Sequence, residues 1–304
     1  MAKNFVLIGA AGYIAPRHMK AIQETGNELL AVLDPYDNVG IIDSYFPKAD
    51  YFREFERFDR HIDKLKRNGT SIDYVSICSP NYLHDAHIRF GLRIGADVIC
   101  EKPIVLNPWN IDGLIDMEKE TQQNVYSILQ LRYHPRLINL KKKIEAENRT
   151  DYKINLEYIT SRGKWYQYSW KGDSEKSGGI ATNIGVHFFD MLTWIFGKMI
   201  NVEVTCQNSQ TSEGTLQLEK ATIQWKLSID ENQLPLIARE NFKKTYRSLS
   251  IDGEEIEFSE GFEDLHTICY KEILNGNGFG LNDAKESIKI ASEIRNGKQS
   301  WNIQ

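Results

Sequence analysis

The sequence predicts an α/β protein in two parts: a doubly wound parallel sheet over residues 1–130, then an α+β domain over 131–304 built on a large, mostly antiparallel sheet. Two observations carry this. Through the first part, short apolar runs alternate with amphipathic stretches, the pattern of parallel strands joined by crossover helices. After Lys153 the apolar period changes to two, as strands with one covered face require. In order, the first strands are Phe5–Ile8, Leu29–Leu33, Tyr74–Ile77, Asp97–Cys100 and Val125–Leu129. Between them Phe55, Phe58, Ile62 and Leu65 step by 3, 4 and 3, a helical spacing, and Asn107-Pro108 reads as a cap followed by a first-turn proline. In the second part Ile154, Leu156 and Tyr158 alternate, as do Ile223, Trp225, Leu227 and Ile229, and Asp252-Gly253 reads as a hairpin turn. Further helices are expected at about 180–196, 259–275 and 281–296.

Composition narrows the function. Hydrophobic residues at 41% and charged residues at 26% are ordinary for a soluble globular chain. The balance of 37 basic against 42 acidic residues leaves −5, a field that argues against general binding to nucleic acid or an anionic membrane. Cys78, Cys100, Cys206 and Cys269 lie far apart with no C-x-x-C pair, so no zinc cluster, no other metal site and no disulfide framework is expected, and a reducing cytoplasm fits best. The longest apolar stretch, Gly178 to Ile200, contains Asn183, His187, Asp190 and Lys198, which are costly inside a bilayer, so no membrane span is expected.

The first chemical signal is FVLIGAAGYIA, a strand running into Gly9, Ala11, Gly12, Tyr13 and Ile14 and then a helix. Glycine lets the backbone approach a pyrophosphate, and the helix N-terminus offers N–H groups and partial positive charge, the arrangement of a Rossmann dinucleotide site. The loop has one residue more than G-x-G-x-x-G, so an ordinary strand-turn-helix is the competing reading. Asp34 ends the second strand, 34 − 12 = 22 residues past Gly12, near the spacing of the acid that binds adenine-ribose hydroxyls. A carboxylate there repels a 2′-phosphate and Pro35 offers no cation, which favours NAD over NADP. The competing reading of Asp34 is a turn residue ahead of proline.

Two further strand ends carry polar clusters: Ser79, Pro80, Asn81 and His84 after YVSIC, and Glu101-Lys102-Pro103 after ADVIC. In an open parallel sheet, ligands sit beyond the carboxyl ends of the strands, so both clusters would face a dinucleotide. Alone, Asn81 reads equally as a helix cap and Glu101-Lys102 as a surface pair.

GAAGYIA, Asp34, SPNYLH, EKP and, in the second half, GGIATNIGVHFFD together resemble the glucose-fructose oxidoreductase/inositol dehydrogenase (Gfo/Idh/MocA) family of NAD(P)-dependent sugar oxidoreductases. The resemblance spans nearly the whole chain. YITSRGKWYQYSWKGD and GEEIEFSEGFEDLHT are similar to the bacterial branch that oxidises the C3 hydroxyl of UDP-N-acetylglucosaminuronic acid with NAD, ahead of amino transfer for surface polysaccharide. It implies a cytoplasmic homotetramer, a UDP-linked N-acetylated uronic sugar as substrate and a 2-oxo acid that can reoxidise NADH in place. One departure stands out: where many members carry an acid four residues before the histidine, this chain has Asn183.

Oxidising a secondary alcohol requires a base near working pH at the hydroxyl. The motifs place Lys102 and His187 there. Histidine starts near 6.5, whereas lysine must fall about three units from 10.4, roughly 4 kcal/mol. We therefore assign His187 as proton acceptor, with Lys102 as hydrogen-bonded to the C3 oxygen and able to relay the proton, and Asn183 as orienting. A neutral Lys102 acting as the base is the alternative, since burial and the positive nicotinamide would lower its pKa and Asn183 adds no charge to oppose them. The competing reading of His187 is a satisfied histidine on a buried helix face. Arg162, Lys164 and Trp165, with Tyr246 and Arg247 less strongly, suit a diphosphate, a uronate carboxylate and a stacked uracil. A short-chain dehydrogenase or epimerase is the nearest enzyme rival, but it needs Tyr-x-x-x-Lys, and none of the 14 tyrosines has Lys four positions later. A silent NAD-binding regulator is the other rival, separated by turnover.

Overall fold

The computed structural model describes residues 2–256 and 264–297. In chain order its main elements are β1 (Asn4–Ile8), α1 (Ala15–Glu24), β2 (Glu28–Leu33), β3 (Asp50–Phe52), α2 (Phe55–Arg67), β4 (Tyr74–Ile77), α3 (His84–Arg93), β5 (Asp97–Cys100), α4 (Pro108–Thr121) and β6 (Val125–Ser127). There follow α5 (Pro135–Ala146), β7 (Tyr152–Thr160), α6 (Trp165–Tyr168), α7 (Ser174–Ser177), α8 (Val186–Phe196), β8 (Met199–Gln207), β9 (Thr211–Leu218), β10 (Ala221–Ser228), α9 (Leu236–Glu240), β11 (Thr245–Ile251), β12 (Glu254–Glu255), α10 (Leu265–Leu274) and α11 (Leu281–Asn296).

Two compact units result: Met1–Val105 with Trp109–Gln130 and Glu263–Ala284, and Leu106–Pro108 with Leu131–Phe262 and Lys285–Gln304. The first holds a six-stranded sheet in the order β3-β2-β1-β4-β5-β6, every pairing parallel. The order reverses between β1 and β4, and the loops after β1, β2, β4 and β5 leave the sheet at its carboxyl edge. Phe5, Val6, Leu7, Val75, Ile77, Val98 and Ile99 are fully buried, as strands covered on both faces must be. Gly91 of α3 has no room for a side chain: a Cβ there would lie 2.5 Å from the Val98 methyl, so glycine lets this helix close on β5. The α10 segment, far downstream of residue 130, packs against α1 within this unit.

The second unit holds a six-stranded sheet in the order β12-β11-β7-β10-β9-β8. All its neighbours are antiparallel except β7 and β10, which pair in parallel from Tyr152–Ala221 to Ile159–Ser228. One face, including Ile154, Leu156, Ile223, Trp225 and Leu227, packs on Phe188, Phe189, Leu192 and Phe196 of α8 and on Ile290 and Ile294 of α11. Both hairpin residues take positive φ, 53° at Asp252 and 87° at Gly253, as the tight β11–β12 turn requires.

Several expected bounds shift. Leu129 leaves β6 for a 3₁₀ turn that begins at Gln130, and the helix expected at about 180–196 splits into a π turn, Ala181–Gly185, followed by α8. The helix expected from 259 is present as α10, and its first expected residues lie outside the described ones. Among the described residues, no helix is long and apolar enough to cross a membrane, and all four cysteines are free thiols.

Candidate active site

In the first unit the glycine loop is built against the ends of β2 and β4. Gly9 has φ +95°, and a Cβ there would stand 2.5 Å from the Cys78 carbonyl carbon and the Ser79 nitrogen. A Cβ on Gly12 would lie 3.1 Å from the Gly9 carbonyl oxygen. Only glycine admits this close crossing at Gly9, on steric and on φ grounds. Ile14 occupies the N-cap of α1 without a capping side chain, and Pro16 sits in the first turn, so no side chain covers the amides at the start of α1. Tyr13 projects from the loop, 87% exposed.

Asp34 is buried at the end of β2. Its Oδ2 accepts from the Ala11 N–H at 2.9 Å and its Oδ1 from the Tyr36 N–H at 2.9 Å. The side chain therefore braces the loop, while each carboxylate oxygen keeps a lone pair for a ribose hydroxyl. A glycine cradle, uncapped helix amides and an acid at the next strand end fit a dinucleotide.

After β4, the Ser79 hydroxyl lies 2.9 Å from His87 Nδ1, and Pro80 precedes the 3₁₀ turn that buries Asn81. The buried His84 ring stands between two carbonyl oxygens, Pro103 at 2.7 Å from Nδ1 and Ser79 at 2.8 Å from Nε2. Burial pushes this imidazole down, against the pull of both carbonyls; a neutral ring donates to one of them.

After β5, the Glu101 carboxylate is nearly sequestered. Its Oε1 accepts at 2.9 Å from His18 Nε2 on α1 and at 2.9 Å from His266 Nε2 on α10, and its Oε2 accepts from the Lys102 N–H at 3.2 Å. Burial works against this charge, but the two imidazole bonds outweigh it and hold the carboxyl well below its ordinary range. His18 and His266, 248 residues apart, carried no local signal in the sequence. The three side chains bring metal-ligating atoms within 4.8 Å of one another, and the hydrogen bonds between them are complete without a cation. Lys102 is half-buried and joined to Pro103 by a cis peptide.

In the second unit the π turn and α8 carry Asn183 and His187. From Ala181 to Asp190 every other residue is buried, and these two, four apart, are the ones open to solvent. Asn183 Nδ2 donates to the Tyr166 hydroxyl at 2.5 Å, and burial pushes that hydroxyl's pKa up. The His187 ring packs edge-on to Phe188 and Tyr158, and the Arg247 guanidinium lies 5.6 Å from the Tyr158 ring and 5.8 Å from Phe188. Tyr246, its neighbour on β11, instead packs on a small cluster of Ile159, Leu234 and Ala238. One turn below His187, Asp190 takes a buried two-pronged bond from Arg132, which pins α8.

Arg162, Lys164 and Trp165 are exposed at the start of α6. Tyr166, Tyr168 and Trp170, spaced two apart as on a strand face, lie instead on a helical turn and its exit: Tyr166 is buried and Tyr168 89% exposed. Lys171 stands 5.5 Å over the Trp165 ring and 5.6 Å over Trp170. Burial, then the charge of Arg162, lowers its pKa, so two cations share this corner with an indole.

The family profile described as "Oxidoreductase family, NAD-binding Rossmann fold" matches residues 3–128, and its partner, "Oxidoreductase family, C-terminal alpha/beta domain", matches 147–266. The chain belongs to the Gfo/Idh/MocA oxidoreductase family. Among solved structures of this family, the WlbA (WbpB) dehydrogenase of Thermus thermophilus in complex with NAD and alpha-ketoglutarate is 50% identical, with a TM-score of 0.95 over 98% of this chain and 96% of that one. The same dehydrogenase in complex with NAD and UDP-GlcNAcA aligns at 49% identity with the same TM-score and coverage. Curated Gfo/Idh/MocA relatives are more distant. The inositol 2-dehydrogenase of Rhizobium meliloti is 27% identical over 65% of this chain and 56% of its own, and the glucose-6-phosphate 3-dehydrogenase of Bacillus subtilis 25% identical over 64% and 54%. The aligned part thus spans about half the length of these curated relatives.

Proposed function

We propose that the chain oxidises the C3 hydroxyl of UDP-N-acetylglucosaminuronic acid (UDP-GlcNAcA) to the 3-keto sugar with NAD. The observation that carries this reading is the likeness, at 49% identity over 98% of the chain, to a dehydrogenase crystallised with both molecules. A bound nicotinamide supplies the two-electron acceptor for the C3 hydrogen; the remaining work belongs to side chains and amides of the protein. His187 takes the hydroxyl proton, since an imidazole needs almost no tuning to act as a base at neutral pH. Lys102 hydrogen-bonds the C3 oxygen and relays the proton, and Asn183, which cannot ionise, orients the sugar.

The loop of Gly9, Ala11, Gly12, Tyr13 and Ile14, closely crossed by glycine and leading into the start of α1, cradles the cofactor diphosphate, and Asp34 takes the adenine ribose. Ser79, Pro80, Asn81, His84 and Glu101 shape the strand ends around the nicotinamide half. Arg162, Lys164 and Lys171 recognise anionic groups of the sugar nucleotide, Trp165 stacks on the base, and Arg247 and Tyr246 contribute at the edge. The product carbonyl at C3 is ready for amino transfer, which suits a step toward a diamino uronic sugar of surface polysaccharide. A 2-oxo acid such as alpha-ketoglutarate regenerates the oxidised cofactor. The protein works as a cytoplasmic homotetramer, to be weighed by light scattering.

The test is turnover with UDP-GlcNAcA and NAD, compared with UDP-N-acetylglucosamine, which has a hydroxymethyl group in place of the C6 carboxylate. Leaving a cation without its partner should lower kcat/KM by on the order of 10². Equal values reject uronate recognition, and an absence of turnover on either sugar rejects the dehydrogenase reading.

A further inference from the structure

Four elements of the first unit meet at one carboxylate. Glu101 leaves β5; His18 comes from α1, the helix that follows the glycine loop; His266 comes from α10; and Tyr270, also on α10, joins His18 to Ser76 of β4. The bonds have one consistent direction. If His18 donates its Nε2 proton to Glu101, its Nδ1 must accept from the Tyr270 hydroxyl at 2.7 Å, whose oxygen then accepts from Ser76 at 2.7 Å. His266 donates to the same Glu101 oxygen, and the two rings stand edge to face with centroids 5.3 Å apart. Three of the four lone-pair positions of the carboxylate are thereby used, two by the imidazoles and one by the backbone N–H of Lys102.

We propose that Glu101, oriented by N–H donation from His18 and His266, is the positioning residue that fixes Lys102 at the end of β5. This rests on the reading above, in which Lys102 touches the C3 oxygen. The device is indirect: the two imidazoles hold the carboxylate, and the carboxylate holds the lysine's own amide, so that the side chain starts from a backbone that cannot drift. Burial pushes His18 down, so the ring donates as a neutral group. The charge on Glu101 is also felt by the buried thiols of Cys78, Cys100 and Cys269, by the Tyr270 hydroxyl and by His84, which ring it on the neighbouring elements. His84 meets the same segment from the other side, its Nδ1 2.7 Å from the carbonyl of Pro103. A misplacement of about 1 Å at a reacting group is enough to cost on the order of 10² in rate, which is why a lysine in this role gains from a fixed backbone.

The experiment has two arms on the full chain. In the first, nitrogen-15 NMR of the histidine rings and hydrogen exchange of the Lys102 amide are read in the wild type, H266Q and H266M. Glutamine retains a donor at similar reach, and methionine fills the space without one. We expect His18 to be neutral with its proton on Nε2, His266 to carry a proton on Nε2, and the Lys102 amide to exchange at least about tenfold faster in H266M than in H266Q. An Nε2 without its proton on either ring, or equal exchange in the two variants, overturns the proposal. In the second arm, turnover is normalised to NAD sites counted by calorimetry. H266M should lower kcat by on the order of tenfold or more with KM for the sugar unchanged and a larger isotope effect from C3-deuterated substrate, while H266Q stays within about threefold of wild type. Equal losses in both variants, or a fall in KM-linked affinity alone, overturn it. If H266M fails to fold, the ring NMR of the wild type and the H266Q kcat decide: a wrong tautomer, or a large H266Q loss at full NAD occupancy, rejects the clamp. If the wild type turns over no UDP-GlcNAcA, the functional reading fails by itself, while the first arm still tests the clamp.

Discussion

The strand ends of the first unit and the 162–187 stretch of the second present their polar groups in opposite ways. Asp34, Asn81, His84 and Glu101 are buried, and hydrogen bonds to neighbouring backbone or side chains already fix Asp34, His84 and Glu101. Arg162, Lys164 and Trp165 are exposed, and Lys171 is held chiefly by two indole faces. A buried polar group that is fully bonded keeps its geometry at all times; an exposed cation on a short helical turn takes its geometry when an anion arrives. The contrast teaches that the half proposed for the cofactor is fixed by its own fold, while the half proposed for the sugar nucleotide would take its geometry from the ligand. His187 is the exception in the second unit, because α8 is locked by the Arg132–Asp190 pair beneath it.

The largest expected effect breaks that exception. His187→Asn should retain NAD binding but lower kcat by roughly 10² to 10⁴ and remove the rise in activity between about pH 6 and 8. Lys102→Met should also slow turnover, yet leave the histidine-controlled pH limb in the residual rate. Reversed limbs in the two variants assign the base to Lys102, and wild-type rates in both return His187 to a packing role.

Acid should strike the preorganised unit first. His87, beside Ser79, is held down to about 4 by burial and then by the neighbouring His84, and burial also lowers His18 and His84. In the unfolded chain each titrates near 6.5, so between about pH 6.5 and 4 the unfolded state binds more protons. Stability contributed by the neutral His87 ring is therefore complete above pH 6.5 and is lost as pH falls toward 4, by at most roughly 3 kcal/mol. Amides of β1, β4 and β5 should lose exchange protection on acidification before those of β7 and β10, and His87→Gln should flatten the slope. An unchanged slope in that variant removes His87 from the account.

What the sequence made legible follows the same division. β4 and β5 match their expected bounds because YVSI and DVIC are buried almost throughout and soon give way to the polar Ser79 and Glu101. β3, only Asp50 to Phe52 on the sheet edge, has too few residues and too little burial to show a period. Tyr166 and Tyr168 fit a period of two as readily as a short helical turn, and tertiary packing decided for the helix. Glu101 and Lys102 were visible from their place after β5; His18 and His266 were not, since a contact across 165 residues from Glu101 to His266 leaves no local pattern. Lys171 carries no local signal in the sequence, since packing on two indoles is a property of the folded chain alone.

A smaller perturbation tests how rigid the preorganised half must be. Gly9→Ala forces a Cβ to within 2.5 Å of backbone at Cys78 and Ser79 at a φ of +95°. Backbone cannot yield as a side-chain tip does, so a cost of about 1–3 kcal/mol in stability is expected, with NAD affinity falling alongside. A variant with wild-type Tm and NAD affinity shows that the loop tolerates displacement.

The finest distinction lies within Asp34, which holds the loop and faces the ribose at once. NAD should bind at least about tenfold more tightly than NADP, an advantage of about 1.4 kcal/mol, because a carboxylate accepts from ribose hydroxyls and repels a 2′-phosphate. Asp34→Ala removes both functions: the Ala11 and Tyr36 amides lose their acceptor and the repulsion disappears, so affinity for NAD falls while the gap between the cofactors narrows. Asp34→Asn separates them. Its amide oxygen still accepts from one of the two backbone N–H groups, so the loop stays partly braced, but the charge is gone. Calorimetry on the two variants should therefore give similar narrowed selectivity with a smaller loss of NAD affinity in the asparagine form. Equal NAD and NADP affinities in the wild type reject the ribose assignment, and an unchanged gap in Asp34→Asn shows that discrimination comes from shape at the end of β2 and not from charge.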